Sequence, residues 1–247
     1  MNRLSYLAVA SALVLIGAAS ARHADPLRFG AVDDGPRLTL TDADVNASTQ
    51  KAVAAHAALV DMWSAEFRRI GERFDAPRLA RYRGTSRSAC GMLPASNALY
   101  CGRSNTIYFD DVFLASQAKL AGAALGTDGD MAAVGFIAHE MGHAVTEQLG
   151  VEFRTPYAME AAADCLAGAF ARHAQQDGSL EQGDLDEAFA AMAAAANPQI
   201  GSTGNSRIDA RIAARMQRMG HGTRAQRQGN FQAGFEGGGG ACVDELR

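Results

Sequence analysis

From residue 42 onward, apolar and polar positions recur mainly at the three-and-four spacing of an α-helix, with one interruption between Arg78 and Phe109. The stretch from Asp42 to about Ile70 reads as an amphipathic helix, opened by Thr41 or Asp42 and stopped by Gly71. Val53, Ala57, Val60, Trp63 or Ser64, and Phe67 form its expected apolar stripe, and His56 within it reads as a structural or solvated histidine. In the interruption, Tyr82, Thr85, Tyr100, Ile107, Tyr108 and Phe109 supply β-formers while Gly84, Gly91, Pro94 and Gly102 supply turns. Short strands follow from this, the clearest being Thr106 to Asp110, which is expected to be an edge strand; a helix begins near Val112. Further helices are expected at about 130–149, 157–176, 183–196, 205–219 and 223–235, punctuated by Gly150, Gly178 and Gly220 and closed off at Pro198, which cannot continue the 183–196 helix. The fold class is therefore mainly α with a small β-sheet (α+β), in one domain over 41–247.

Chemistry enters at His139-Glu140-Met141-Gly142-His143, inside the helix of 130–149. Residues i and i+4 share a helical face, so both imidazoles reach one ion, and the glutamate beside the first histidine is placed to act as general base on a water. Val134, Ala138, Met141, Val145 and Leu149 form an apolar stripe for the core, which leaves His139 and His143 facing a cleft. A catalytic zinc has three protein ligands and an open position, so a further ligand is needed downstream. Glu160, in Glu160-Ala161-Ala162-Ala163-Asp164, is the candidate, with Asp164 on the same face to accept a hydrogen bond from a ligating imidazole. Glu152 and His173 compete for the same place. His221, between Gly220 and Gly222, is a candidate to stabilise an oxyanion, with Tyr157 as a second candidate for that task.

Composition adds limits. The 247 residues are 48% hydrophobic and 20% charged, with a net charge of -4, so neither bulk disorder nor a nucleic-acid partner held by a basic stripe fits. Residues 1–21, with Arg3, an apolar run from Leu7 to Ala19 and small residues at Ala19, Ser20 and Ala21, read as a signal peptide, or else as an uncleaved membrane anchor. Residues 22–40 read as an extended lead-in. In an exported chain the four cysteines read as two disulfides, Cys90 with Cys101 around a turn and Cys165 with Cys242 tying the glycine-rich tail to an interior helix.

In order and spacing, several further residues accompany the motif: Cys90-Gly91, Tyr100-Cys101, Ile107-Tyr108 with Asp110, Gly129-Asp130, Ala163-Asp164-Cys165, Ala167-Gly168, Gly183-Asp184, His221-Gly222-Thr223, Gln226-Arg227 and Gly234. With them the chain, from about Cys90 to Cys242, resembles the bacterial neutral zinc metallopeptidases of the YpfJ type. It departs from that pattern at Ala144, Arg224 and Gly102, where the family has a histidine, a serine and a proline. The resemblance implies a zincin-like, gluzincin-type architecture with one zinc ion, Glu160 as third ligand, and an exported or membrane-associated location. The expected function is an exported zinc-dependent peptidase, periplasmic or secreted, or membrane-anchored through residues 1–21, acting on peptide or unfolded-protein substrates. Two alternatives remain, a zinc-binding but non-hydrolytic chaperone or assembly protein of the cell envelope and a metal-free helical interaction domain.

Overall fold

The computed structural model describes residues 39–127, 131–181, 183–185, 187 and 204–244. The expected leader at 1–21, nearly all of the lead-in at 22–40 and most of the helix expected at 183–196, with Pro198, lie outside the described residues.

Helix α1 (Asp42–Arg69) starts at a capping box in which Thr41 and Asp44 satisfy each other's backbone N–H groups. Its buried stripe is Val45, Ser48, Ala52, Ala55, Leu59, Met62, Trp63 and Phe67. Of the expected stripe Trp63 and Phe67 are buried, but its N-terminal part is rotated from the observed one, since Val53 is 53% exposed and Ala57 is exposed too. The helix carries alanine and valine on several of its faces, so two stripes fit the same spacing. The bulky Leu59 and Met62 decide between them, because burying these side chains removes the most apolar surface from water.

Strands β1 (Arg78–Tyr82), β2 (Ser86–Ser88), β3 (Gly91–Leu93), β4 (Ala98–Cys101) and β5 (Thr106–Asp110) follow. β2 and β3 form a separate antiparallel pair, while the main sheet has the order β1-β5-β4. β5 lies in the middle, parallel to β1 and antiparallel to β4, which corrects its assignment as an edge strand. Strand pairing is non-local, so the alternation within β5 carries no record of how many neighbours it has. Asp110, at the end of β5, caps helix α2 (Asp111–Leu125) by accepting from the N–H groups of Val112 and Phe113. Its other carboxylate oxygen accepts from the N–H groups of Gly84 and Ser96, so one buried side chain joins strand, helix and both loops.

Helices α3 (Met131–Gln148) and α4 (Pro156–Gln176) form the centre. The stripe Val134, Ala138, Met141 and Val145 is buried as expected, yet Ala133, Ile137 and Ala144 are buried as well, so α3 is enclosed on nearly every side. Helices α5 (Ser206–Met219), α6 (Arg224–Gly237) and α7 (Gly239–Asp244) complete the described chain. Of the glycine-rich tail, Gly237 ends α6 while Gly239 and Gly240 begin α7. Burial of Val243 and the Cys165–Cys242 disulfide hold α7 against α4. The other disulfide joins Cys90 to Cys101 and ties the β2–β3 turn to the end of β4. Mainly helical with two small sheets, the chain has the fold class read from its sequence.

The α4–α6 contact is set by two glycines. A Cβ on Gly168 would fall 1.9 Å from the Phe231 carbonyl oxygen, and one on Gly234 would fall 1.7 Å from that of Cys165. Both obstacles are backbone, which cannot rotate away as a side chain would. Gly234→Ala is therefore expected to destabilise the protein by about 1–3 kcal/mol or more, as overpacking does. Urea unfolding with an unchanged midpoint would show that the helices separate at little cost.

Candidate metal centre

His139 and His143 stand one turn apart on α3, their rings edge to face with centroids 4.8 Å apart. Their Nε2 atoms are 3.2 Å from each other. Glu160, in the first turns of α4, reaches across with Oε2 3.1 Å from His139 Nε2 and Oε1 3.6 Å from His143 Nε2. The helices meet here because α3 has no side chain at Gly142, where a Cβ would lie 2.8 Å from the Cα of Ala163. The alanine spacer between Glu160 and Asp164 completes that close contact from the other side.

One ligand atom from each of these three residues lies within 4.8 Å of the others. The set fits zinc on the chemistry of the donors and on their spacing. Two imidazole nitrogens and a carboxylate oxygen with a fourth position open are what a catalytic zinc takes. Bonds of about 2.0–2.1 Å in a tetrahedron put ligand atoms about 3.3–3.4 Å apart, and the contacts observed bracket that value. Glu152 is exposed in the loop after α3, and His173 is exposed on the rim of a groove shared with Trp63 and Arg172. Neither belongs to the cluster.

Asp164 is fully buried, and its Oδ1 accepts the Nδ1–H of His139 at 2.9 Å. That bond leaves Nε2 turned toward Glu160 and His143, as a metal-ligating histidine requires. Burial disfavours the charged His139 ring, but its hydrogen bonds to Asp164 and Glu160 outweigh this and hold its pKa at about 10. Burial and the neighbouring His139 charge bring His143 down to about 4. Burial raises the Glu160 pKa, whereas its hydrogen bond to His139 and the histidine charges lower it further, to about 2. The cluster thus carries one proton on the His139 Nε2 side, where a metal would compete for the same lone pair.

Glu140 is 7% exposed, and its Oε2 accepts the backbone N–H of Tyr100 on β4 at 2.7 Å. Burial pushes its pKa upward. His221 stands on the other side, with Nε2 3.8 Å from Glu160 Oε2. Gly220 and Gly222, at φ of 80° and 76°, supply the left-handed backbone that turns the chain from α5 into α6. A Cβ on Gly222 would meet the ring of Tyr157 at 2.6 Å, so Tyr157 packs under the loop that carries His221. His221 is partly exposed, and burial of its ring lowers its pKa. His56, far along α1, contacts the Pro77 carbonyl at 2.8 Å in a structural role.

Two participants had no assigned role in the sequence reading. The Tyr100 N–H is backbone, which no motif marks. Arg227, 2% exposed on α6, donates from Nη2 to Asp164 Oδ1 at 2.5 Å. It stands 63 residues beyond its partner, and only its position after Gln226 in the family pattern distinguished it.

The sequence matches the profile of the family described as "Putative neutral zinc metallopeptidase" over residues 36–158 and 153–246. The uncharacterized protein YpfJ of Escherichia coli is 33% identical over 194 residues, covering 72% of this chain and 64% of the relative. An uncharacterized protein of Mycobacterium tuberculosis is 29% identical over 221 residues, covering 80% of this chain and 71% of the relative. The chain thus spans somewhat less than two thirds of the length of YpfJ. No solved structure matches it. A match across most of the chain, centred on a buried cluster of two histidines and a glutamate, places this protein in that neutral zinc metallopeptidase family.

Proposed function

We propose that the protein is an exported zinc-dependent peptidase in which His139, His143 and Glu160 hold one zinc ion and Glu140 is the general base. The observation that carries this reading is the convergence of three ligand atoms at coordination spacing beside a buried glutamate that is not itself a ligand. When bound, zinc supplies a Lewis acid that polarises a peptide carbonyl and acidifies a water. The protein's own residues do the rest. The Tyr100 N–H holds the Glu140 carboxylate, whose pKa is raised by burial toward the range in which it accepts a proton from water and returns it to the leaving amine. Asp164 orients His139 through Nδ1. His221, brought to the site by the glycine pair, donates an N–H to the developing oxyanion. β4, an outer strand of the main sheet, runs beside Glu140 and offers an extended peptide substrate a backbone to pair with. Two disulfides fit an oxidising compartment outside the cytoplasm, and among the described residues no helix is long and apolar enough to cross a membrane.

Glu140→Gln is expected to retain one zinc per chain and to hydrolyse casein about a hundred-fold to ten-thousand-fold more slowly, as loss of a general base does. Wild-type hydrolysis by that variant sinks the mechanism, and zinc binding without hydrolysis in the wild type would favour the envelope chaperone instead. His221→Ala is expected to lower kcat by about a hundred-fold or more with KM little changed, as oxyanion donors do; an unchanged kcat removes His221 from the reaction. Zinc must displace the His139 proton, whose pKa is about 10, so at pH 8 binding is expected to release about one proton or more per ion. Calorimetry in buffers of different ionisation enthalpy measures this number, and a value near zero contradicts ligation by His139.

A further inference from the structure

Arg227 has no task in the hydrolytic scheme, yet it is buried against the residue that orients a metal ligand. Its Nη2 touches Asp164 Oδ1 and lies 3.2 Å from His139 Nδ1. The same Asp164 oxygen therefore takes a hydrogen bond from the guanidinium and one from the imidazole. Fastening α6 to α4 does not account for this pair. The Gly168 and Gly234 contacts already lock the two helices, and the Cys165–Cys242 disulfide, one residue beyond Asp164, ties α4 to the segment that follows α6. A buried ion pair is also a weak source of stability, because desolvation of both charges offsets their attraction. By Coulomb's law a cation this close to a metal site also works against binding another cation. Its place there must be offset by what it does to geometry.

We propose that Arg227 is a positioning residue for the metal centre. By donating to Asp164 Oδ1 it holds the carboxylate where that oxygen also receives the Nδ1–H of His139, and the ring then presents Nε2 to the ion. The close α4–α6 contact makes this a fixed support, because a slide of either helix would bring a side-chain-bearing neighbour to a point where only glycine fits. The Thr223 capping box, four residues before Arg227, fixes the first turn of α6 from which the side chain extends. His221 precedes the same cap, so one short segment delivers both groups to the site. The proposal rests on the reading of His139 as a zinc ligand.

The test measures zinc affinity of the full, disulfide-bonded chain by competition with a chromogenic chelator, beside thermal unfolding of the zinc-free protein. Arg227→Lys keeps the charge but carries it on a shorter, flexible stem that ends short of the place Nη2 occupies beside Asp164 Oδ1. It is expected to bind zinc about ten-fold to a hundred-fold more weakly, the usual effect of losing a partner behind a metal ligand. Arg227→Met is expected to weaken zinc as well, although simple charge removal alone would tighten it. In an Asp164→Asn background neither substitution should weaken zinc further, because the route through which Arg227 acts is already gone. Unchanged affinity in the lysine variant, tighter binding in the methionine variant, or an undiminished loss in the Asp164→Asn background would each overturn the proposal. A structural role alone would lower the melting temperature of the lysine variant and leave its zinc affinity intact, which also counts against it. Should the methionine variant fail to fold, the lysine variant, which retains the charge, decides. Failure of the wild type to bind zinc would instead strike the metal reading itself, and is distinguishable on that ground.

Discussion

The approach of α3 to α4 at Gly142 and Ala163 is the constraint on which the site depends. With backbone nearly against backbone, the imidazoles of one helix and the carboxylates of the other fall within a few ångströms. Three carboxylates and a guanidinium are buried around that contact, at Glu140, Glu160, Asp164 and Arg227. Charges taken out of water are tolerated only when each is paired or hydrogen-bonded, and breaking one such pair costs about 3–5 kcal/mol. Glu140 has the Tyr100 N–H, Glu160 has His139, and Asp164 has both His139 and Arg227. The arrangement is therefore interdependent, and a metal ion would replace a proton in it without requiring the helices to move.

The remaining elements hold this junction from outside. The main sheet brings Tyr100 to Glu140, and Cys101 beside it is tied to Cys90. On the far side, α6 is pressed onto α4 through glycines while Cys242 grips Cys165. In loop-entropy terms the short closure is worth about 3 kcal/mol and the long one about 4–5 kcal/mol. Each disulfide thus ends next to a residue of the site, Tyr100 in one case and Asp164 in the other. Reduction would loosen the supports of Glu140 and of the Asp164 carboxylate that orients His139 together.

How much of this was legible in the sequence follows from how local each signal is. His139, Glu140 and His143 were readable because helical periodicity alone puts them on adjoining positions, and Glu160 with Asp164 repeats the same i, i+4 logic. The two disulfides join the cysteines that the turn and the glycine-rich tail had paired. The middle position of β5 was not readable, since nothing within five residues states which strands flank it. On α1 the C-terminal part of the stripe, Trp63 and Phe67, was legible, whereas Val53 and Ala57 were misplaced because alanine offers little contrast between faces, so packing of Leu59 and Met62 against the distant core chose the register. Arg227 lay beyond reach for the same reason as β5. Its meaning is its contact with Asp164, which only the folded chain creates.

The central claim is that His139, His143 and Glu160 converge on one zinc ion. Anomalous diffraction at the zinc edge from crystals of the zinc-loaded protein tests it most directly. The account predicts a single strong peak bonded at about 2.0–2.2 Å to Nε2 of both histidines and to a Glu160 oxygen. A peak elsewhere, or one that leaves Glu160 uncoordinated, would contradict it.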